Sequence, residues 1–130
     1  MHDARANSAP GFEQHPGYSI RLSESDVAAT VYRHGKPLLH SKQSILLSEN
    51  DYPPVIYMPR SAIDPPLLQP SERTSFCPFK GQASYWHLCI DGECLQDAAW
   101  SYEDPFDEVQ IIKGMIAWMQ TDGICCEQDT

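Results

Sequence analysis

A thiol and an amine stand three residues apart on one turn, Cys77-Pro78-Phe79-Lys80-Gly81. An ammonium near a cysteine on a wet loop favours the thiolate, which makes Cys77 a candidate nucleophile or redox thiol with Lys80 as its electrostatic partner. The plainer account is a buried, inert cysteine, with Lys80 solvated or paired to an acid. Lys80-Gly81 together with Arg60 and Arg73 supplies three cations and a glycine that lets backbone approach closely, a set able to hold a phosphate or carboxylate. Neither G-x-x-x-x-G-K nor G-x-G-x-x-G is present, so no known phosphate loop carries that reading. Structural ion pairs are the commoner use of such cations in an acidic chain. The acids Asp97, Glu103 and Asp104 lie beside Trp100 and Tyr102. There they can act as acid and base or share a divalent metal. Alternatively Asp104 caps a helical turn and Asp97 pairs with Lys80 or Arg73.

Two residue sets follow. Cys77, Lys80, Asp97 and Glu103 are the catalytic candidates. Tyr57, Arg60, Arg73, Lys80, Gly81, Tyr85, Trp86, Trp100 and Tyr102 are the ligand-binding candidates, an aromatic and cationic lining of the kind that forms small-molecule pockets. Aromatics in a small β domain are more often core. Structural zinc wants four Cys or His ligands in paired spacing, and the adjacent Cys125-Cys126 has no matching pair, so no metal and no cofactor is expected. Of the histidines, His2 and His15 fall in the leader.

These groups must be positioned by a small body. The chain has 130 residues, of which 42% are hydrophobic, enough for one domain with one real core. The net charge is −9, from 18 acids against 9 bases. That argues against a general nucleic-acid binder and against an anionic membrane surface as partner. No apolar run approaches a membrane span, and the first residues have no apolar segment of the secretory kind. A cytoplasmic setting with reduced thiols is the expectation. Cys89 and Cys94 flank Asp91-Gly92; two small apolar side chains are favoured there over a cross-strand pair.

Residues 1–16 read as a flexible leader, 17–120 as a single β domain and 121–130 as a frayed tail. Asp26–Arg33 has β-branched residues and partial alternation, and His34-Gly35-Lys36-Pro37 is a turn whose Gly35 signals a hairpin. Leu38–Ser41 and Ser44–Leu47 follow as strand material. Tyr52–Arg60 holds a short strand framed by prolines, and Ser61–Asp64 a helical turn capped by Ser61. Leu67–Gln69 is extended and Pro70-Ser71-Glu72 is a turn. Gln82–Ile90 and Glu93–Ala99 form a hairpin across Asp91-Gly92, with Tyr85, His87 and Cys89 on one face and Ser84, Trp86, Leu88 and Ile90 on the other. Asp104 caps a turn starting at Pro105, and Val109–Met119 gives a last strand broken at Gly114. Many short strands with one or two helical turns predict an all-β fold.

Three motifs in order carry a family resemblance. They are Tyr57-Met-Pro-Arg60, the run Thr74-Ser-Phe-Cys77-Pro-Phe-Lys80-Gly81-Gln-Ala83-Ser84-Tyr85-Trp86, and Asp97-Ala-Ala-Trp100-Ser-Tyr102-Glu103-Asp104-Pro105. Over about residues 17–119 the chain resembles the domain of unknown function 427 family, also labelled nucleotidyltransferase-like. The resemblance implies a small, mostly β domain similar to β-tent folds. Several β-tent relatives carry zinc on paired cysteines that this chain lacks. Nucleotidyltransferases usually show a Gly-Ser turn followed by paired, magnesium-holding aspartates, and these residues do not show it. The function expected first is binding of a small polar or anionic ligand without catalysis. An enzyme using Cys77 or Asp97/Glu103 with Lys80, and a structural or interaction domain, are the alternatives. Homo-oligomers are compatible with all three.

Overall fold

A computed structural model describes residues 7–130. The expectations for residues 1–6, His2 among them, lie outside the described residues. Among the described residues, nine strands and one short α-helix follow in order: α1 (Gly11–Gln14), β1 (Ile20–Leu22), β2 (Val27–Arg33), β3 (Lys36–Glu49), β4 (Val55–Tyr57), β5 (Leu68–Cys77), β6 (Gly81–Ile90), β7 (Glu93–Ser101), β8 (Ala117–Trp118) and β9 (Ile124–Gln128). The fold is all-β, as the short strands predict: two antiparallel sheets joined by 3-10 turns. Among the described residues, no helix is long and apolar enough to cross a membrane.

The spine of the first sheet is β3. The two runs read separately in the sequence are one 14-residue strand. Its first part pairs with β2, and its end pairs with β1 on one edge and β4 on the other. A register shift lies between Val27 and Ala29, where an extra β3 residue is accommodated and Gln43 N–H donates to Ser41 Oγ at 3.0 Å. Such a bulge strengthens twist and explains why a single strand reads as two. The second sheet runs β5-β6-β7-β8.

Strand β6 has apolar neighbours on both faces. Trp86, Leu88 and Ile90 join a core of Ala29, Val31, Met58, Trp118 and Ile124. Ala83 and Tyr85 join Ile45, Leu47, Tyr57, Tyr102, Val109 and Ile112 on the other side. Each fully buried large side chain in these clusters stabilises by about 2 kcal/mol. Met58 and Ile116 exchange two backbone hydrogen bonds of 2.8 Å, which stitch the sheets together.

Several local expectations are corrected. Residues 121–130 are not frayed: β9 pairs with β2 along Ala29–Arg33, because Ile124 and Cys126 bury against the core. Within the leader, Ala9 is buried, Gly11 N–H donates to Pro78 O at 2.9 Å, and Phe12 meets Phe79 edge-on at 5.1 Å. Ser61 caps nothing; the 3-10 turn is Arg60–Ala62 after Pro59. Pro70-Ser71-Glu72 lies inside β5, an edge strand that tolerates the missing N–H, at a register irregularity. Asp104 and Pro105 precede a 3-10 helix, Asp107–Ile112, that follows Phe106 and has no side-chain cap. Val109 and Ile112, read as strand, are buried in this segment, which kinks at Val109. Cys89 and Cys94 are bonded, with Cα atoms 3.9 Å apart, and Cys94 is exposed. Asp91-Gly92, both at positive φ, sets the type I′ register that makes them face each other.

The chain end offers a pH-sensitive tie. Asp129 accepts from Thr30 Oγ1 at 2.8 Å and lies 2.8 Å from His40 Nε2. The Thr30 hydrogen bond, then His40, holds its carboxyl below the ordinary range. A folded pKa below the unfolded value means the tie is complete above about pH 3.9 and is lost as pH falls through the folded value. An NMR titration of the Asp129 carboxyl carbon is expected to give a midpoint below that of an unfolded-chain aspartate, and Thr30→Val is expected to raise it. An unshifted midpoint would mean the end hangs free.

Candidate functional site

The Cys77–Gly81 turn joins β5 to β6. Cys77 pairs with Gly81, and Lys80 N–H donates to Cys77 O at 3.2 Å. The turn aims the Lys80 side chain inward, leaving it 8% exposed. Its Nζ donates to Glu49 Oε1 at 2.7 Å and stands 3.9 Å from Cys77 Sγ. Glu49, the last residue of β3, escaped the sequence reading. The signal was faint: one acid closing an apolar strand just before Asn50, whose φ is +45°. Tyr57 and Tyr102 pack nearby. Burial raises the Tyr57 hydroxyl pKa, opposed by the indole hydrogen bond from Trp100 at 3.4 Å. Burial, then Tyr57 itself, raises that of Tyr102. Both phenols stay protonated, so they do not serve as bases.

Gly81 adopts φ +116°, and a Cβ there would lie 3.5 Å from Asp104 O and Pro105 Cα. Phe106 N–H donates to Lys80 O at 2.9 Å. The close backbone approach that this glycine allows is made by the protein's own 104–106 segment.

Arg60 and Trp86 belong to the opposite face of the second sheet. The Arg60 guanidinium carbon sits 4.2 Å over the Trp86 ring. Trp86 Nε1–H donates to Ser101 Oγ at 2.9 Å, and the Ser101 hydroxyl donates to Glu103. Glu103 in turn lies 3.5 Å from Arg60 Nη1. Ser101 is fully buried, so this relay fixes the indole plane and the carboxylate from below. Arg60 and Trp86 line a cleft of about 410 Å³ with Ile63, Pro65 and Leu68. A second cleft of about 290 Å³ opens beside it between Gln82, Ser84, Glu103 and Asp104. Lys80 lines neither.

Arg73, Tyr85 and Asp97 form a third group. Arg73 stacks on Tyr85 at 4.4 Å and meets Asp97 at 3.8 Å. Asp97 also accepts from Ser71 Oγ at 2.5 Å, and its N–H donates to His87 Nδ1 at 3.1 Å. Its φ of +52° marks a bulge between the Trp86 and Leu88 pairs. Asp97 thus fixes the backbone of β7. It meets Ser71, Arg73 and His87, whereas Glu103 meets Arg60 and Ser101, so the two acids are not brought together as an acid–base pair. Trp100 pairs with Tyr85 and borders a separate cleft of about 230 Å³ with Pro54, Val55 and Trp118. Burial pushes the Cys126 thiol up to about 12, which removes it as a nucleophile. Among the described residues, no group of three or more His, Cys, Asp or Glu is placed to hold a metal.

Fold and site together define a small two-sheet antiparallel β domain whose polar groups are mostly spent on one another. The chain belongs to the family described as Domain of unknown function (DUF427), which bears a nucleotidyltransferase label and matches residues 21–128. No curated protein matches it.

Proposed function

We propose that this domain is a binding module that holds a small anionic ligand with a flat or apolar body in the Arg60–Trp86 cleft. The observation that carries it is the guanidinium carbon seated 4.2 Å over the Trp86 ring, with 43% of the Arg60 side chain exposed. A stacked guanidinium keeps its outer edge free for two parallel hydrogen bonds to a carboxylate or phosphate. Its contact with Glu103 is long and exposed, worth about 1 kcal/mol or less, so an anion can replace it. Ile63, Pro65 and Leu68 offer the apolar wall.

Lys80 contributes through the fold in this reading, because Glu49 already neutralises it. That pairing also weighs against catalysis by Cys77 with Lys80. The buried Tyr102 fits a structural role, and Arg73 sits over Tyr85 in a similar way but lines none of the clefts described above, which sets Arg60 and Trp86 apart. Titration with benzoate and with adenosine monophosphate, followed through the Trp86 indole N–H resonance, tests the reading. Arg60→Gln is expected to weaken binding about tenfold, the loss of one charged contact, with unchanged melting temperature. Equal affinity of the variant and the parent would overturn it.

A further inference from the structure

Two cations meet outside the three motifs, at the tip of the β2–β3 hairpin. Arg33 and Lys36 are directly opposed across His34-Gly35, whose φ values of +50° and +80° make a type I′ turn. Like charges facing each other across two strands destabilise a hairpin, so the pair needs an anion. Glu93 supplies half of one: its Oε1 lies 2.6 Å from Arg33 Nη2. Glu93 comes from the neighbouring turn, Ile90–Glu93, whose stem is closed by the Cys89–Cys94 bond. Arg33 Nε is buried without a partner among the described residues, and Lys36 has no carboxylate partner among them. Between the two turns lies a cleft of about 420 Å³ lined by Arg33, His34, Lys36, Pro37, Leu38, Ile90 and Asp91. His34 is held in place there: its N–H donates to Gly123 O at 2.8 Å, and its ring covers Gly123 so closely that a Cβ would collide.

We infer that this cleft binds the phosphate group of a phosphomonoester with an apolar body, and that Glu93 occupies Arg33 until the ligand arrives. A monoanionic carboxylate would only exchange one carboxylate for another on Arg33. A dianion with three terminal oxygens can engage Arg33 and Lys36 together, which Glu93 does not do. Pro37, Leu38 and Ile90 accept an apolar body, and Asp91 on the far wall disfavours a second anionic group. Glu93 is 58% exposed, so it is free to swing into solvent when displaced.

The test is a backbone-amide NMR titration at fixed ionic strength with phenyl phosphate, inorganic phosphate and benzoate. Phenyl phosphate is expected to shift the amides of residues 33–38 and 90–93 saturably, with inorganic phosphate weaker and benzoate weakest. Lys36→Gln, on an exposed turn, is expected to weaken phenyl phosphate about tenfold. Glu93→Gln is expected to tighten it about threefold, because it removes an exposed competitor. Arg60→Gln is expected to leave these shifts unchanged, which separates this site from the Arg60–Trp86 cleft. No saturable shift at these amides, benzoate as tight as phenyl phosphate, or a Glu93→Gln variant that binds no better would each overturn the inference.

Discussion

Lys80→Ala is expected to lower the unfolding free energy by about 3 kcal/mol, because it strands the Glu49 carboxylate in a site that was built for an ion pair. The Lys80 and Glu49 side chains are only 10% and 16% exposed, so water does little to replace the lost partner. The variant Lys80→Met keeps most of the apolar stem and is expected to be nearly as destabilised, since the charge and not the stem is what Glu49 needs. Combining it with Glu49→Leu removes both charges and is expected to recover most of the loss, as replacing a buried pair by apolar groups often does. Urea unfolding of the three variants measures this directly. A cost below about 1 kcal/mol for Lys80→Ala would mean that Glu49 turns out to water and the pair behaves as a surface contact. If Lys80 were instead a ligand contact, its loss would reduce affinity and leave stability alone. The same experiment therefore separates an internal cation from a binding one.

Gly81→Ala carries the second large effect, expected at about 2 kcal/mol. At φ +116° an L-residue is strained whatever space surrounds it. The nearest atoms to an added Cβ, at 3.5 Å, are ordinary contacts, so strain and not collision sets the magnitude. Gly35→Ala is the natural control. Its φ of +80° lies closer to the left-handed region that side chains tolerate, and nothing lies within 4 Å of an added Cβ. It is expected to cost about 1 kcal/mol. Equal costs at the two positions would show that the Lys80-Gly81 turn relaxes freely. In that case the inward aim of Lys80 would not depend on this glycine. The two predictions are coupled, since Phe106 N–H donates to Lys80 O and holds the 104–106 segment across the turn. Sites that share a segment are not expected to be additive.

The sequence by itself determined the fold class, the hairpin turns around Gly35 and at Asp91-Gly92, the two-faced character of β6, and membership of the family. Those are local properties: turn chemistry, β-branched runs, period-two alternation and short motifs at fixed spacing. Only the tertiary structure decided what the charged groups do. Arg60, Arg73 and Lys80 read as one cationic set, and Asp97, Glu103 and Asp104 as one acidic set, but Tyr85 and Trp86, adjacent on β6, point to opposite faces. Arg60 and Glu103 therefore meet at Trp86, while Arg73 and Asp97 meet at Tyr85. Glu49, 31 residues from Lys80, could not be chosen from the other acids without the register of β3. The same holds for β9, since only burial against Ala29 and Val31 distinguishes Ile124–Gln128 from a frayed end. Pairing across distance is fixed by register and closure, and neither is written in any short stretch of residues.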